Sequence, residues 1–306
     1  MAAVTANEPA GGPSDLFEPG TLWRRVQERT SRASERGTLA PIETEEHVLP
    51  EAGIPFSVRI VSTLRAKARA NDQEDGGGGN PFRPPDPELL VAGVSATHVA
   101  LLNRFPVLRH HLVVATREYQ EQDLPLGPAD FDALARCLAE IDGLAFYNCG
   151  PESGASQRHR HLQLVPFPVG PGSEPTPIER ALAPVLADPG RATLPADPVR
   201  HAAAPLPATA WQPQDPARAA EALRLAYRAL AAKTGLQLRA PDRAPPHNFL
   251  ATKRWAMLVP RSREAFEGIS INALGYAGAL LVKDQTQLAT VRRQGPIAVL
   301  RAVATK

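Results

Sequence analysis

Cysteine is scarce: Cys137 and Cys149 are the only two in 306 residues, too few for a disulfide framework or a zinc ribbon. No long apolar run interrupts the chain, and its first residues lack the cationic start of a signal peptide, so neither a membrane span nor export is expected. Net charge is also small, since 34 Lys and Arg stand against 32 Asp and Glu, a formal +2. Such a balance gives no chain-wide field for non-specific nucleic-acid binding. The chain reads as soluble and cytoplasmic, with neither a nucleic-acid nor a membrane partner, as a monomer or small homo-oligomer. What it has in excess is proline, 32 residues or about one in ten, which forces long stretches into loop.

At 32.8 kDa the chain is long enough for one large domain or two packed halves. Residues 1–20 are patternless and are expected to be a disordered tail. Thr21 is placed to cap a helix with Leu22, Trp23 and Val26 facing inward and Gly37 at its end. From Ile54, period-two alternation of Phe56, Val58 and Ile60 indicates a half-buried strand. Asn71 to Asn80, with its run of four glycines, is expected to be a mobile loop. Short apolar segments follow at Leu89–Val94, Val99–Leu102, His111–Thr116, Leu144–Asn148 and His161–Val165.

One helix interrupts them, capped by Asp130, with Phe131, Leu134, Leu138 and Ile141 on one face and Gly143 as a left-handed terminator. A second helix covers Ala217 to Lys233. Strands return at Asn248–Thr252 and Trp255–Val259, and the end from Gln287 is helical, broken at Gly295-Pro296. Trp23, Trp211 and Trp255 read as packing residues, and both cysteines as buried filler. The expected fold is α+β in two related halves, residues 21–170 and 171–306.

The segment Tyr147 to Val165 carries the chemistry. On a strand, His159, His161 and Gln163 share one face above Leu162 and Leu164 on the other. Before them, Ser153-Gly154-Ala155-Ser156 is a small-residue loop whose amides and hydroxyls can approach an anion. A neutral imidazole, about nine-tenths populated at pH 7.5 with an ordinary pKa, is a competent nucleophile toward phosphorus. Charge on the phosphoryl oxygens then needs donors, for which Arg104, Arg158, Arg160, Lys253 and Arg254 are available. A His-x-His pair also suits zinc, but no third and fourth ligand follow at a recognisable spacing. A buried polar ladder without chemistry is the plainer alternative. The junction of the small-residue loop with His-x-His-x-Gln weighs against it.

The string Gly-Ala-Ser-Gln-x-His-x-His-Leu-Gln over residues 154–163 resembles the signature of the diadenosine tetraphosphate phosphorylases, or ATP adenylyltransferases, of the histidine-triad superfamily. Ser62 to Lys67, Asn80-Pro81-Phe82, Leu101 to Phe105, Asp142 to Asn148, Trp255 to Arg263 and Ser270 to Gly278 are similar too. The resemblance implies a histidine-triad-like fold, with a mainly antiparallel sheet and flanking helices. It implies phosphorolysis of diadenosine tetraphosphate to ATP and ADP through an adenylyl-histidine, reversible and with ADP sulfurylase side activity. His161 would be the nucleophile, with His159 and Gln163 in support.

Nucleotide and phosphate contacts are implied at Lys67, Asn80, Pro81, Asn148, Ser153, Gly154, Ala155, Ser156, Gln157, Asn272, Gly275 and Lys283. The partners implied are a dinucleoside polyphosphate, ATP, ADP, and phosphate or sulfate. No cofactor is required by the covalent chemistry and no resident metal is expected, with Mg²⁺ an optional helper. A histidine-triad hydrolase, another nucleotidyltransferase and a non-catalytic nucleotide-binding protein are the competing readings. Where relatives have Tyr-Asn in the C-terminal half, this chain has His247-Asn248, and His247 is expected in an exposed loop.

Overall fold

The computed structural model describes residues 16–61, 80–188, 199–212, 215–239 and 242–305. The string from Ser62, Lys67 within it and the four-glycine loop lie outside them. Order begins before residue 20: Leu16 bridges Gly93, and Phe17 N–H donates to the Gly93 carbonyl at 3.1 Å. Helix α1 (Leu22–Glu35) buries Leu22, Val26, Thr30 and Ala33. Thr21 holds the cap position, but its hydroxyl donates back to the Glu18 carbonyl at 2.6 Å.

A hairpin follows, β1 (Thr44–Glu51) and β2 (Ile54–Val61). The apolar segments then become strands β3 (Leu90–Gly93), β4 (His98–Leu102), β5 (Leu112–Thr116), β6 (Gly143–Cys149) and β7 (His161–Pro166). Helix α2 (Pro128–Glu140) separates β5 from β6. The C-terminal half supplies α3 (Glu179–Ala187), β8 (Ala202–Pro205), α4 (Pro216–Lys233), β9 (His247–Ala251) and β10 (Trp255–Pro260). The short pair β11 (Ala265–Phe266) and β12 (Ile269–Ser270), α5 (Ala273–Tyr276), β13 (Ala279–Val282), α6 (Gln285–Gln294) and α7 (Pro296–Val303) complete it.

Eight strands form one antiparallel sheet in the order β3-β4-β5-β7-β6-β9-β10-β8. Both halves contribute, and they meet where β6 pairs with β9 in the register Asn148 opposite Asn248. Side-chain alternation gives the sheet two faces. One buries Leu112, Val114, Tyr147, Leu162, Leu164 and Phe249 under α1, α2 and α4. Phe131 of α2 lies 5.5 Å from Tyr227 of α4, ring to ring. The other face buries Leu144, Phe146, Val165, Leu250 and Met257 under a second layer that includes β2 and β13, which pair in parallel. A separate small apolar patch, Val99, Leu101, Val113 and Ala115, lies further along this face. His161 and Gln163 sit between the two, opposite Ala115 and Val113 of β5.

Two sequence expectations about α2 need correction. Its cap is Gly127, whose N–H donates to Asp130 Oδ2 at 2.7 Å, so Asp130 closes the first turn from inside the helix. Gly143 is not a left-handed terminator, because β6 begins there and its φ is not positive. A side chain would run into the Val165 carbonyl oxygen across the β6–β7 ladder. Close strand approach, not turn geometry, explains that glycine.

Candidate active site

His161 is buried at the first position of β7. Its Nδ1 lies 2.8 Å from the His159 carbonyl oxygen. A carbonyl only accepts, so the proton is on Nδ1 and the lone pair is on Nε2. Among the described residues nothing hydrogen-bonds Nε2. Burial lowers the pKa to about 4, so the ring is neutral at physiological pH.

His159 lies just before β7, bridged to Glu121. Its Nε2–H donates to the Thr116 carbonyl at 2.8 Å, and its Nδ1 accepts from Asn80 Nδ2 at 2.6 Å. With both ring nitrogens engaged, the ring is fixed in one orientation, while its backbone carbonyl holds His161 Nδ1. Phe82 packs against both imidazoles, with ring centroids at 5.5 and 5.3 Å.

Backbone amides fix which end of each carboxamide points where, because an N–H can only donate. Phe82 N–H donates to Asn80 Oδ1 at 3.0 Å, which turns Asn80 Nδ2 toward His159. Ala273 N–H and Asn248 Nδ2 both donate to Asn148 Oδ1, at 3.0 and 2.8 Å. Asn148 Nδ2 is thereby left as a donor without a partner among the described residues.

The loop after β6 is built for close approach. Gly154 has φ +86°, and a Cβ there would lie 2.7 Å from the Ile271 carbonyl oxygen and 2.9 Å from Asn272 Cβ. Ala155 N–H turns inward to the Gly150 carbonyl at 3.3 Å. The N–H groups of Ser156 and Gln157 have no acceptor among the described residues, as an anion nest requires. The Ser153 hydroxyl, expected to face an anion, instead donates to the Cys149 carbonyl at 2.9 Å and holds the loop together.

Of the other expected contacts, Pro81 is exposed beside Phe82, and Asn272 caps α5 through Leu274 N–H at 3.0 Å. Gly275 is packed against Ile271 and Leu300. Lys283 is exposed at the end of β13, its N–H donating to Gln287 Oε1 at 2.8 Å.

The arginines suggested by sequence are not assembled around His161. Arg160 projects to the opposite face and pairs with buried Asp130 at 2.7 Å. Arg254 pairs with Glu179, which also accepts from Trp255 Nε1. Arg158 lies on Glu121 at 3.3 Å, and Arg104 over the Phe105 ring. His247 is fully buried on β9 rather than looped out, donating to the Pro245 carbonyl at 2.7 Å and meeting the Tyr227 hydroxyl at 2.9 Å. Trp255 and both cysteines are buried, and burial pushes each thiol up to about 12.

Sequence reasoning missed two organisers. Gln122 is inserted where the β6–β7 ladder stops. Its Oε1 accepts from His161 N–H at 2.8 Å, and its Nε2 donates to the His161 and Asn148 carbonyls at 3.0 and 2.9 Å. Arg261, 3% exposed, donates only to neutral oxygens among the described residues. These include Asn248 Oδ1 at 2.6 Å and the carbonyls of Ile271 at 2.9 Å and Ser153 at 3.3 Å. Burial depresses its pKa, and its charge lies directly behind the loop. Among the described residues no three His, Cys, Asp or Glu side chains group to hold a metal ion.

An antiparallel sheet presenting His-x-His-x-Gln beside a glycine loop defines a histidine-triad-like nucleotide-binding scaffold. The chain belongs to the Ap4A phosphorylase and ATP adenylyltransferase family of nucleotidyltransferases: the Ap4A phosphorylase N-terminal domain matches residues 13–184, and the ATP adenylyltransferase C-terminal domain matches residues 195–306. It is 30% identical to diadenosine 5',5'''-P1,P4-tetraphosphate phosphorylase 2 of Saccharomyces cerevisiae, over 87% of this chain and 89% of that protein. Identity to Protein APA1 of the same yeast is 26%, over 87% and 88%. The crystal structure of yeast Ap4A phosphorylase Apa2 superimposes with a TM-score of 0.74 at 25% identity, covering 94% of this chain and 98% of that one. The same yeast protein in complex with AMP gives 0.67 at 26% identity, covering 94% and 96%.

Proposed function

We propose that the chain is an ATP adenylyltransferase that phosphorolyses diadenosine tetraphosphate. The observation that carries this reading is the state of His161: proton held on Nδ1 by the His159 carbonyl, Nε2 without a partner among the described residues, and a pKa lowered to about 4. Nε2 attacks the α-phosphorus of one adenosine, an N–P bond forms, the P–O bond to the bridging oxygen breaks, and ATP leaves. As Nε2 bonds, the ring becomes cationic, and the Nδ1–H bond to the carbonyl strengthens where charge develops. Inorganic phosphate then attacks the same phosphorus, the N–P bond breaks, and ADP departs.

Asn148 Nδ2, the N–H groups of Ser156 and Gln157, and Gln163 are the donors proposed for the phosphoryl oxygens, with Lys67 as a further contact. Each step runs in reverse, and sulfate in place of phosphate gives the sulfurylase side reaction. No resident cofactor enters this chemistry; any Mg²⁺ arrives on the polyphosphate. The proposal has the protein acting in the cytoplasm as a monomer or small homo-oligomer, in keeping with two buried unpaired thiols.

Intact-mass spectrometry after mixing with diadenosine tetraphosphate, without phosphate, tests the reading. An adenylyl increment that disappears in His161→Ala and discharges to ADP on adding phosphate is expected. AMP released only to water would make the protein a hydrolase, and tight binding without any increment would make it a binding protein.

A further inference from the structure

Two short turns of the same form serve two different histidines. In Asn80-Pro81-Phe82 the Phe82 N–H donates to the asparagine Oδ1, and Nδ2 donates to His159. In Asn103-Arg104-Phe105, Phe105 N–H donates to Asn103 Oδ1 at 3.1 Å, and Asn103 Nδ2 lies 3.2 Å from His111 Nδ1. The second turn leads to Gln163, because His111 Nε2 lies 3.0 Å from Gln163 Oε1.

The direction of every bond in this chain follows from its first member. The Phe105 backbone N–H cannot accept, so the Asn103 atom it meets is oxygen and the other end is the NH2. That NH2 donates, so His111 Nδ1 carries a lone pair and Nε2 carries the proton. The proton on Nε2 requires oxygen at the Gln163 end. The Gln163 NH2 is therefore turned away from His111, on the strand face that carries His161 two residues earlier.

We propose that Asn103 and His111 are positioning residues that set the Gln163 carboxamide with its NH2 toward the phosphoryl group being transferred. This rests on the reading of His161 as the nucleophile. A glutamine turned the other way would present its carbonyl oxygen to a phosphoryl oxygen, a repulsion instead of a hydrogen bond. The catalytic sense of Gln163 is thus decided by the Phe105 backbone amide, 58 residues earlier in the sequence, through the side chains of Asn103 and His111.

Asn103→Asp is the discriminating variant. It keeps an oxygen for Phe105 N–H but replaces the donor facing His111 with an acceptor, which, at a pH where the ring is neutral, draws its single proton to Nδ1 and reverses the chain. Three measurements on the full chain test it. Nitrogen-15 spectra of the histidine rings should show His111 as the Nε2–H tautomer, with Nδ1 protonated in Asn103→Asp. The Gln163 side-chain amide signals should shift on adding AMP to the wild type and not to the variant.

In phosphorolysis of diadenosine tetraphosphate, Asn103→Asp should lower kcat on the order of 10²-fold, as loss of an oriented donor does, with KM little changed. It should add no further loss on a Gln163→Met background. His111→Gln, which keeps a donor near the Nε2 position, should retain more activity than His111→Phe. A wild-type His111 protonated on Nδ1, or losses that multiply on the Gln163→Met background, would overturn the proposal. A wild type that shows the tautomer and the AMP shift yet forms no ADP from phosphate would instead remove the proposed function and leave the orientation standing.

Discussion

Asn248 Nδ2 donates to Asn148 Oδ1 at 2.8 Å across the seam where β6 pairs with β9. The same nitrogen lies 2.9 Å from the Ser153 carbonyl oxygen, and Asn248 Oδ1 is held by Arg261 at 2.6 Å. One side chain of the C-terminal half thus orients an amide of the N-terminal half, ties down its loop and anchors a buried cation. Asn248→Leu should leave those partners short of bonds and destabilise the fold by about 1–3 kcal/mol. It should also raise KM for the dinucleotide more than it lowers kcat. Urea unfolding and steady-state kinetics check both.

Two histidines, His161 and His247, are buried with pKa values lowered to about 4. Their unfolded values lie near 6.5, so between pH 6.5 and 4 the unfolded chain binds more protons than the folded one. Stability is therefore complete above pH 6.5 and falls as pH drops through that window, by on the order of 3 kcal/mol per histidine. Unfolding measured at pH 7 and pH 5 should show about half of this loss, and His247→Phe should reduce it by one histidine's share. Activity that depends on neutral His161 should survive to lower pH than an ordinary imidazole allows.

Asp130 lies beneath β7, the strand that carries His161, with Arg160 at 2.7 Å and His98 at 3.3 Å, all three buried. Burial by itself would raise its carboxyl, but the hydrogen bond with His98, the Arg160 charge and the bond from Gly127 N–H together hold it below the usual range. Asp130→Asn leaves the guanidinium without its counter-charge in the interior and should destabilise by about 3–5 kcal/mol. A fall in the urea midpoint with an unchanged slope would identify the effect as stability alone.

Much of this architecture can be read from the chain because its determinants are local. Period-two and apolar patterning locates β2 to β7, β9 and β10, and the helix expected over Ala217 to Lys233 is α4, which buries Leu223, Tyr227 and Leu230. The His-x-His-x-Gln face was legible since alternation along a strand needs no tertiary information. Gln122, Asn248 and Arg261 were not legible, for their roles exist only once β6, β7 and β9 are side by side. Asn103 is an intermediate case. It stands in the same Asn-x-Phe spacing as Asn80, and that repetition was a signal available in the sequence. The arginines misled for a plain reason: nearness in sequence to His161 says nothing about which face of the sheet a side chain leaves from, and Arg160 leaves from the wrong one.

Gly154→Ala offers a sharp test of the loop. At φ +86° a methyl group is strained by about 1–3 kcal/mol, and here it would also meet the Ile271 carbonyl oxygen at 2.7 Å. The loop should shift away from Asn272, raising KM for the dinucleotide while the adenylation of His161 by saturating substrate persists. Binding measured by calorimetry with AMP should weaken in parallel.

Arg261 reaches from the Ser153 carbonyl to that of Val303, and this span orders events during synthesis. A nascent chain emerging from the ribosome exposes His159, His161 and Gln163 long before Asn248, Arg261, Ala273 and Val303 have been translated. Until they arrive, Asn148 has nothing to orient it and the loop has no charge behind it. The Asn148 side chain and the loop take their final setting only when the late residues close onto the early ones, so a product ended before Asn248 carries the whole signature without that support.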